Sequence, residues 1–235
     1  MMFSFTSFTD PGSIWRVDLR TFGVECLGTT KLSDSMPSMD EFATDQVWYK
    51  SKDGTKVPMF IVRKKSNLPS IDDVPDKPLV TLLYGYGGFN VALTPSFSPA
   101  RLTFLNDLGG VFCLANIRGG GEYGQAWHKA GILEKKQNVF DDFIAAAEYL
   151  IDRKITDSNH LTIMGGSNGG TLVSACANQR PDLYAAAICQ VPVTDMLRFH
   201  KFTIGHFWCA DFGCSEKDGG FDYLIKYSPL HNIKA

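Results

Sequence analysis

Leu161-Thr162-Ile163-Met164-Gly165-Gly166-Ser167-Asn168-Gly169-Gly170 is the stretch that decides the fold. A short strand, Leu161 to Met164, runs into a glycine-rich turn, and Thr171 to Arg180 then reads as a helix stopped by Pro181. A serine on so tight a strand-to-helix turn has a strained backbone. The positions two before and two after it must lack bulk, and Gly165 and Gly169 supply that room. The Ser167 hydroxyl then stands above the sheet. The amino end of the following helix favours negative charge there, and the Asn168 N–H is the first donor expected to meet it. No lysine follows the glycines, which argues against a phosphate-binding loop.

The same alternation continues outward. Leu79 to Tyr84 and Gly110 to Asn116 are apolar runs typical of strands buried on both faces, and Ala185 to Val191 predicts another strand. Between them, Pro99 to Leu108 predicts a helix ended by Gly109. A second helix has Asn138 as its cap, Asp141 and Asp142 near its positive end, and an apolar stripe from Val139 to Ile151. Strand and helix at this spacing predict a mostly parallel α/β sheet. Upstream, Val47-Trp48-Tyr49 and Val57 to Val62 flank Asp53-Gly54, a strong hairpin signal. Residues 66–78 read as a surface linker and residues 31–44 as a polar loop. Phe3, Phe5 and Phe8, then Asp10-Pro11-Gly12 and Ile14 to Val17, predict one or two antiparallel strands, too little sheet to fold alone.

The composition is that of an ordinary globular protein: 235 residues, 44% hydrophobic and 20% charged, with a net charge of −2. Neither a basic surplus nor an acidic tail points to nucleic acid or to a charged partner. No apolar run reaches the ~18 residues of a membrane span, and the first residues lack a basic region and meet Asp10-Pro11, a poor signal peptide. The six cysteines (Cys26, Cys113, Cys176, Cys189, Cys209 and Cys214) are scattered without a CxxC pair. They read as free thiols in a cytoplasmic, reducing compartment, with no metal and no cofactor expected.

Two further glycine-rich loops follow predicted strands: Leu83-Tyr84-Gly85-Tyr86-Gly87-Gly88-Phe89, and Asn116-Ile117-Arg118 leading into Gly119 to Gly124. The first lies where an α/β-hydrolase presents its second oxyanion donor. YGYGGF, NIRGGGEYG with WHKAG behind it, and GGSNGG, in this order and spacing, resemble the catalytic domain of the prolyl oligopeptidase family. CANQRPDL at 176–183, DMLRFHKFTIGHFW at 195–208 and LIKYSPLHNI at 224–233 agree. Asn168 after the serine favours the prolyl branch over oligopeptidase B, where alanine would be expected.

The resemblance implies an α/β-hydrolase fold, incomplete and lacking its last strands. Residues 1–40 would be a remnant of the last β-propeller strands and linker. Residues 41–235 would be the amino-terminal and central part of the peptidase domain. It implies a serine-type endopeptidase, a monomer acting on short proline-containing peptides. Ser167 would be the nucleophile and the Tyr86 hydroxyl would join the Asn168 N–H in the oxyanion hole. Trp208 would stack on the substrate proline, and Phe89, Val193 and Ile204 would line its pocket. At Phe212 the family pattern leads one to expect tyrosine.

A serine nucleophile needs a base and an orienting carboxylate, in the order Ser, Asp or Glu, His. After Ser167 come Asp195, Asp211, Asp218 and Asp222, with His200, His206 and His231. None stands where the family places these groups, which lie beyond the SPxxNI stretch. The chain as given is therefore expected to be inactive. The alternatives are another α/β-hydrolase, such as an esterase or a peptidase of different specificity, and a non-catalytic binding fragment.

Overall fold

The computed structural model describes residues 1–33 and 36–234. At the amino end, β1 (Met2–Phe5), β2 (Ser13–Val17) and β3 (Val24–Thr29) form a separate antiparallel sheet. That is one strand more than the sequence suggested. Every residue of β3 is exposed, so it lacks the inward-facing alternation that would have marked it. The buried Phe8 fastens this sheet to the rest, with its ring 5.7 Å from Phe60 and 6.0 Å from Phe112, edge-on to both.

The main sheet contains β4 (Phe42–Lys50), β5 (Lys56–Lys64), β6 (Thr81–Tyr84), β7 (Val111–Ala115), β8 (Leu161–Gly166) and β9 (Ala186–Gln190), in the order β4-β5-β7-β6-β8-β9. β4 and β5 run antiparallel, and β7, β6, β8 and β9 run parallel. The hairpin is longer than predicted. Its first strand begins at Phe42, which is buried inside the stretch read as loop. All five residues of β7 are buried, as its unbroken apolar run requires.

The helices are α1 (Pro99–Asp107), α2 (Gly124–Lys129), α3 (Gln137–Asp152), α4 (Asn168–Gln179), α5 (Cys209–Phe212) and α6 (Gly220–Tyr227). α1 starts as its sequence dictates: the Ser98 hydroxyl accepts from the Arg101 N–H, and Pro99 takes the first helical position. α3 buries Val139, Phe140, Phe143, Ala146, Ala147 and Leu150 against Leu83, Ile163 and Leu172. Each large apolar side chain so buried contributes roughly 1.5–3 kcal/mol.

Two readings of α3 are corrected. Asn138 is not its cap but lies within the helix, where its amide donates to Ala130 O at 2.8 Å. Asp142 does not serve the helix dipole. It is buried, accepts from the Arg118 N–H at 3.0 Å and pairs with Arg118 Nη2 at 2.6 Å. The remaining guanidinium nitrogen reaches Asp53 Oδ2 in the β4–β5 turn at 2.6 Å. A charge pair buried this deeply stands only because each partner is satisfied. α2 and α6 carry too short an apolar period to be read in advance. β9, the further strand expected over residues 185–191, stands at the sheet edge beside β8 and is exposed along all five residues.

Candidate active site

β8 ends and α4 begins on either side of Ser167, whose backbone lies at φ 56°, ψ −118°. This conformation is strained for any residue with a Cβ. The neighbours explain how it is held. A Cβ on Gly165 would stand 2.3 Å from the Gly169 carbonyl oxygen, and one on Gly169 would stand 2.6 Å from Gly85 O. The Ser167 N–H donates to Gln190 O at 2.9 Å, pinning the elbow to the end of β9. The Ser167 side chain remains exposed. The helix itself begins at Asn168, three residues earlier than the sequence suggested, so the Asn168 N–H is the first of its unpaired donors.

Tyr86, on the loop after β6, faces the serine. Burial pushes its phenol above the ordinary range, the Ser167 hydroxyl works against that rise, and the Asp211 and Tyr84 charges add to it. The phenol is therefore protonated at neutral pH and available as a donor. A shallow pocket opens beside these groups, lined by Tyr86, Phe89, Ser167, Asn168, Val193, Trp208 and Phe212. Seven of the eight residues named from the sequence meet there. Ile204 does not line it and is 59% exposed, ahead of the single helical turn Gly205–Trp208. Val193 is fixed to α4 through Thr171, whose hydroxyl donates to Val193 O at 2.8 Å and accepts its N–H at 3.1 Å. Phe212 is buried edge-on to Phe89, with centroids 5.4 Å apart.

Behind the pocket lies a layer that the sequence did not disclose. Phe199 stacks on Trp208 at 6.3 Å and meets Phe212 edge-on at 5.5 Å. Lys136 is only 1% exposed and donates to Gly87 O at 3.0 Å, Asn168 Oδ1 at 3.2 Å and Asp211 Oδ2 at 3.3 Å. Its ammonium also stands 5.0 Å from the Phe212 ring centroid. Asp211 Oδ1 accepts the Phe89 N–H at 3.1 Å and lies 2.8 Å from His128 Nε2. The Asn168 side-chain amide closes the circuit by donating to Tyr86 O. Three buried side chains thus fix the loop carrying Tyr86, and Phe89 at its unusual φ of 55°, against the serine elbow. Burial pushes the Lys136 ammonium down, with the Asp211 carboxylate opposing. Lys136 adjoins Lys135 in GILEKKQN, and only topology reveals which lysine turns inward.

Four of the five histidines have polar neighbours other than the serine. His128 pairs with Asp211, His160 with Asp157, His200 with Glu216 and His231 with Ser228, while the His206 ring lies against Phe207. Among the described residues no histidine hydrogen bond to Ser167 is recorded. Asp195 accepts from the Leu197 and Arg198 N–H groups and pairs with Arg198 Nε at 2.6 Å.

Residues 95–235 match the family model described as the prolyl oligopeptidase family. The chain belongs to that family. It is 53% identical over 194 residues to a prolyl endopeptidase of Dictyostelium discoideum, covering 82% of this chain and 25% of that protein. It is 48% identical over 230 residues to prolyl oligopeptidase A of Galerina marginata, covering 96% and 30%. The solved structure of prolyl oligopeptidase B from Galerina marginata, bound to a 25mer macrocyclization substrate, superposes with a TM-score of 0.92. That match has 43% identity and covers 99% of this chain and 32% of that one. The fold is the α/β-hydrolase fold of this family, and the chain spans about a third of the length of such relatives. No helix among the described residues is long and apolar enough to cross a membrane.

Proposed function

We propose that this chain carries the nucleophile, the oxyanion donors and the proline pocket of a serine endopeptidase that cleaves short peptides after proline. The observation that carries this reading is one juxtaposition. An exposed serine at φ 56° opens onto a pocket walled by Trp208, Phe89, Phe212 and Val193, with a protonated tyrosine across from it.

The chemistry follows from these positions. A substrate proline is rigid and apolar, so it fits a small aromatic-walled slot and gains contact with the Trp208 indole beyond the area it buries. Its carbonyl then lies over Ser167. Attack by Oγ would form a tetrahedral intermediate whose oxyanion accepts from the Asn168 N–H and the Tyr86 hydroxyl. Collapse expels the amine and leaves an acyl-enzyme on Ser167, which water hydrolyses. Both proton transfers require a base, and among the described residues no histidine hydrogen bond to Ser167 is recorded. We therefore propose that the chain by itself binds but does not turn over. The apolar wall also weighs against an esterase, which has no use for a proline-stacking indole.

Residues 1–40 we assign to the closing strands of a propeller, because β1 to β3 form their own small sheet. All six cysteines are free, which supports a cytoplasmic location. We further propose that the protein is a monomer.

The test is equilibrium binding of two short peptides that differ only in ending with proline or alanine. The proline peptide is expected to bind more tightly by ~1–3 kcal/mol, the scale of an apolar pocket contact. Equal affinities would remove the proline reading.

A further inference from the structure

His200, in the turn Phe199–Lys201 that precedes the pocket tryptophan, has a side chain only 9% exposed. Neither of its ring nitrogens makes a hydrogen bond, although Nε2 stands 3.5 Å from Glu216 Oε2. An imidazole offers one donor and one acceptor when neutral, and burying both without a hydrogen bond is unfavourable unless something else engages them. Its ring is aimed into a cluster of possible ligands. One ring nitrogen, the Cys214 thiol and a Glu216 carboxylate oxygen all lie within 4.8 Å of one another. Cys214 is buried. Glu216 is the exposed arm, and its second oxygen is held by Lys201 Nζ at 2.7 Å.

We propose that His200, Cys214 and Glu216 form a binding site for a divalent cation of the zinc class, with the fourth position of the tetrahedral ion open to solvent. The donor set decides the class. Imidazole and thiolate select zinc-like ions, whereas magnesium and calcium require oxygen cages. Ligand atoms at zinc distances stand about 3.3–3.8 Å apart, so the three have to close by up to roughly 1 Å. The exposed Glu216 can supply that movement with one oxygen while the other stays on Lys201. Binding releases the Cys214 thiol proton to solvent, and His200 coordinates neutral through one nitrogen. One thiolate and one carboxylate balance the charge of the divalent ion. No sequence pattern announces the site, because spacings of fourteen and two residues match no paired-cysteine motif.

The place of the cluster gives the ion a consequence. His200 and Cys214 bracket the segment that carries Trp208 and Phe212, and Phe199 beside His200 stacks on Trp208. An ion here would staple the pocket wall. The metal site stands or falls independently of the peptidase reading, since cation binding needs no substrate.

The test titrates the reduced, metal-free 235-residue chain with Co²⁺ and follows thiolate-to-cobalt charge-transfer absorption. One Co²⁺ per chain, displaced by Zn²⁺, is expected. His200→Ala and Cys214→Ala should each weaken binding at least about tenfold. Glu216→Gln changes an exposed side chain, keeps the fold by far-UV circular dichroism, and should weaken binding while retaining the charge-transfer band. Cys26→Ala and Cys189→Ala remove exposed thiols outside the cluster and should change nothing. No charge-transfer band in the parent chain would overturn the proposal. Affinity unchanged in folded Glu216→Gln, or a band lost in Cys26→Ala or Cys189→Ala, would overturn it equally.

Discussion

Ser167 shows how much one residue's conformation imposes on its neighbours. Its positive φ requires Gly165 and Gly169, and the close approaches of 2.3 Å and 2.6 Å from their absent Cβ atoms are to backbone, which cannot yield as a side chain can. Gly169→Ala is expected to destabilise the chain by about 1–3 kcal/mol, the cost of overpacking, read from the midpoint of urea unfolding. A midpoint equal to the parent's would mean that the elbow tolerates bulk. Trp208→Ala belongs to the same scale. It should abolish most of the binding preference for a proline-ending over an alanine-ending peptide, by calorimetry, and an undiminished preference would take Trp208 out of the pocket. The elbow glycines were legible because a steric requirement leaves a mark in residue type. Ile204 misled for the opposite reason: an apolar residue in a pocket-bearing segment carries no mark of which way it faces, and this one faces solvent.

Between elements, charge does the positioning. Lys136 from the start of α3 and Asp211 from α5 join the Tyr86 loop to the serine elbow. Lys136→Met leaves a buried carboxylate without its cation and should cost roughly 3–5 kcal/mol in unfolding free energy. Adding Asp211→Asn should recover part of it. Strict additivity of the two losses would show that the pair is uncoupled. The second network ties α3 to the β4–β5 turn. The Arg118 hydrogen bond holds the Asp53 carboxyl down from its ordinary 3.8 to about 2. The folded state thus binds fewer protons than the unfolded state in that window. The stabilisation is complete above 3.8 and is lost as pH falls toward 2. Asp53→Asn should flatten that part of the acid limb of stability against pH, and an unchanged limb would assign it to other carboxylates. Neither network was legible. The sequence places Lys136 beside Lys135 and Asp142 on a helix dipole, and only the fold brings their partners from 75 and 24 residues away. Strand and helix alternation, by contrast, is a local property, and it located β6 to β9 and α1, α3 and α4 to within about three residues.

At the scale of the whole molecule, packing is uneven. The central strands are packed, while β9 presents an exposed edge, with Ile188 43% exposed and Val191 just beyond its end 82% exposed, a template for association with other chains. The serine, the Asn168 N–H, the Tyr86 phenol and the pocket meet at the carboxyl ends of β6 and β8, yet among the described residues no histidine hydrogen bond to the serine is recorded. Without a base, an oxyanion hole and binding alone leave ~10³–10⁴-fold over water, far below the ~10⁶-fold and more of a working enzyme. The decisive measurement is turnover of a proline-containing fluorogenic peptide by the purified 235-residue chain, beside a Ser167→Ala control. The account predicts the same background rate for both. Robust turnover abolished by Ser167→Ala would contradict it and would place a working base within the chain, with His206, near Trp208 in sequence, the first to replace.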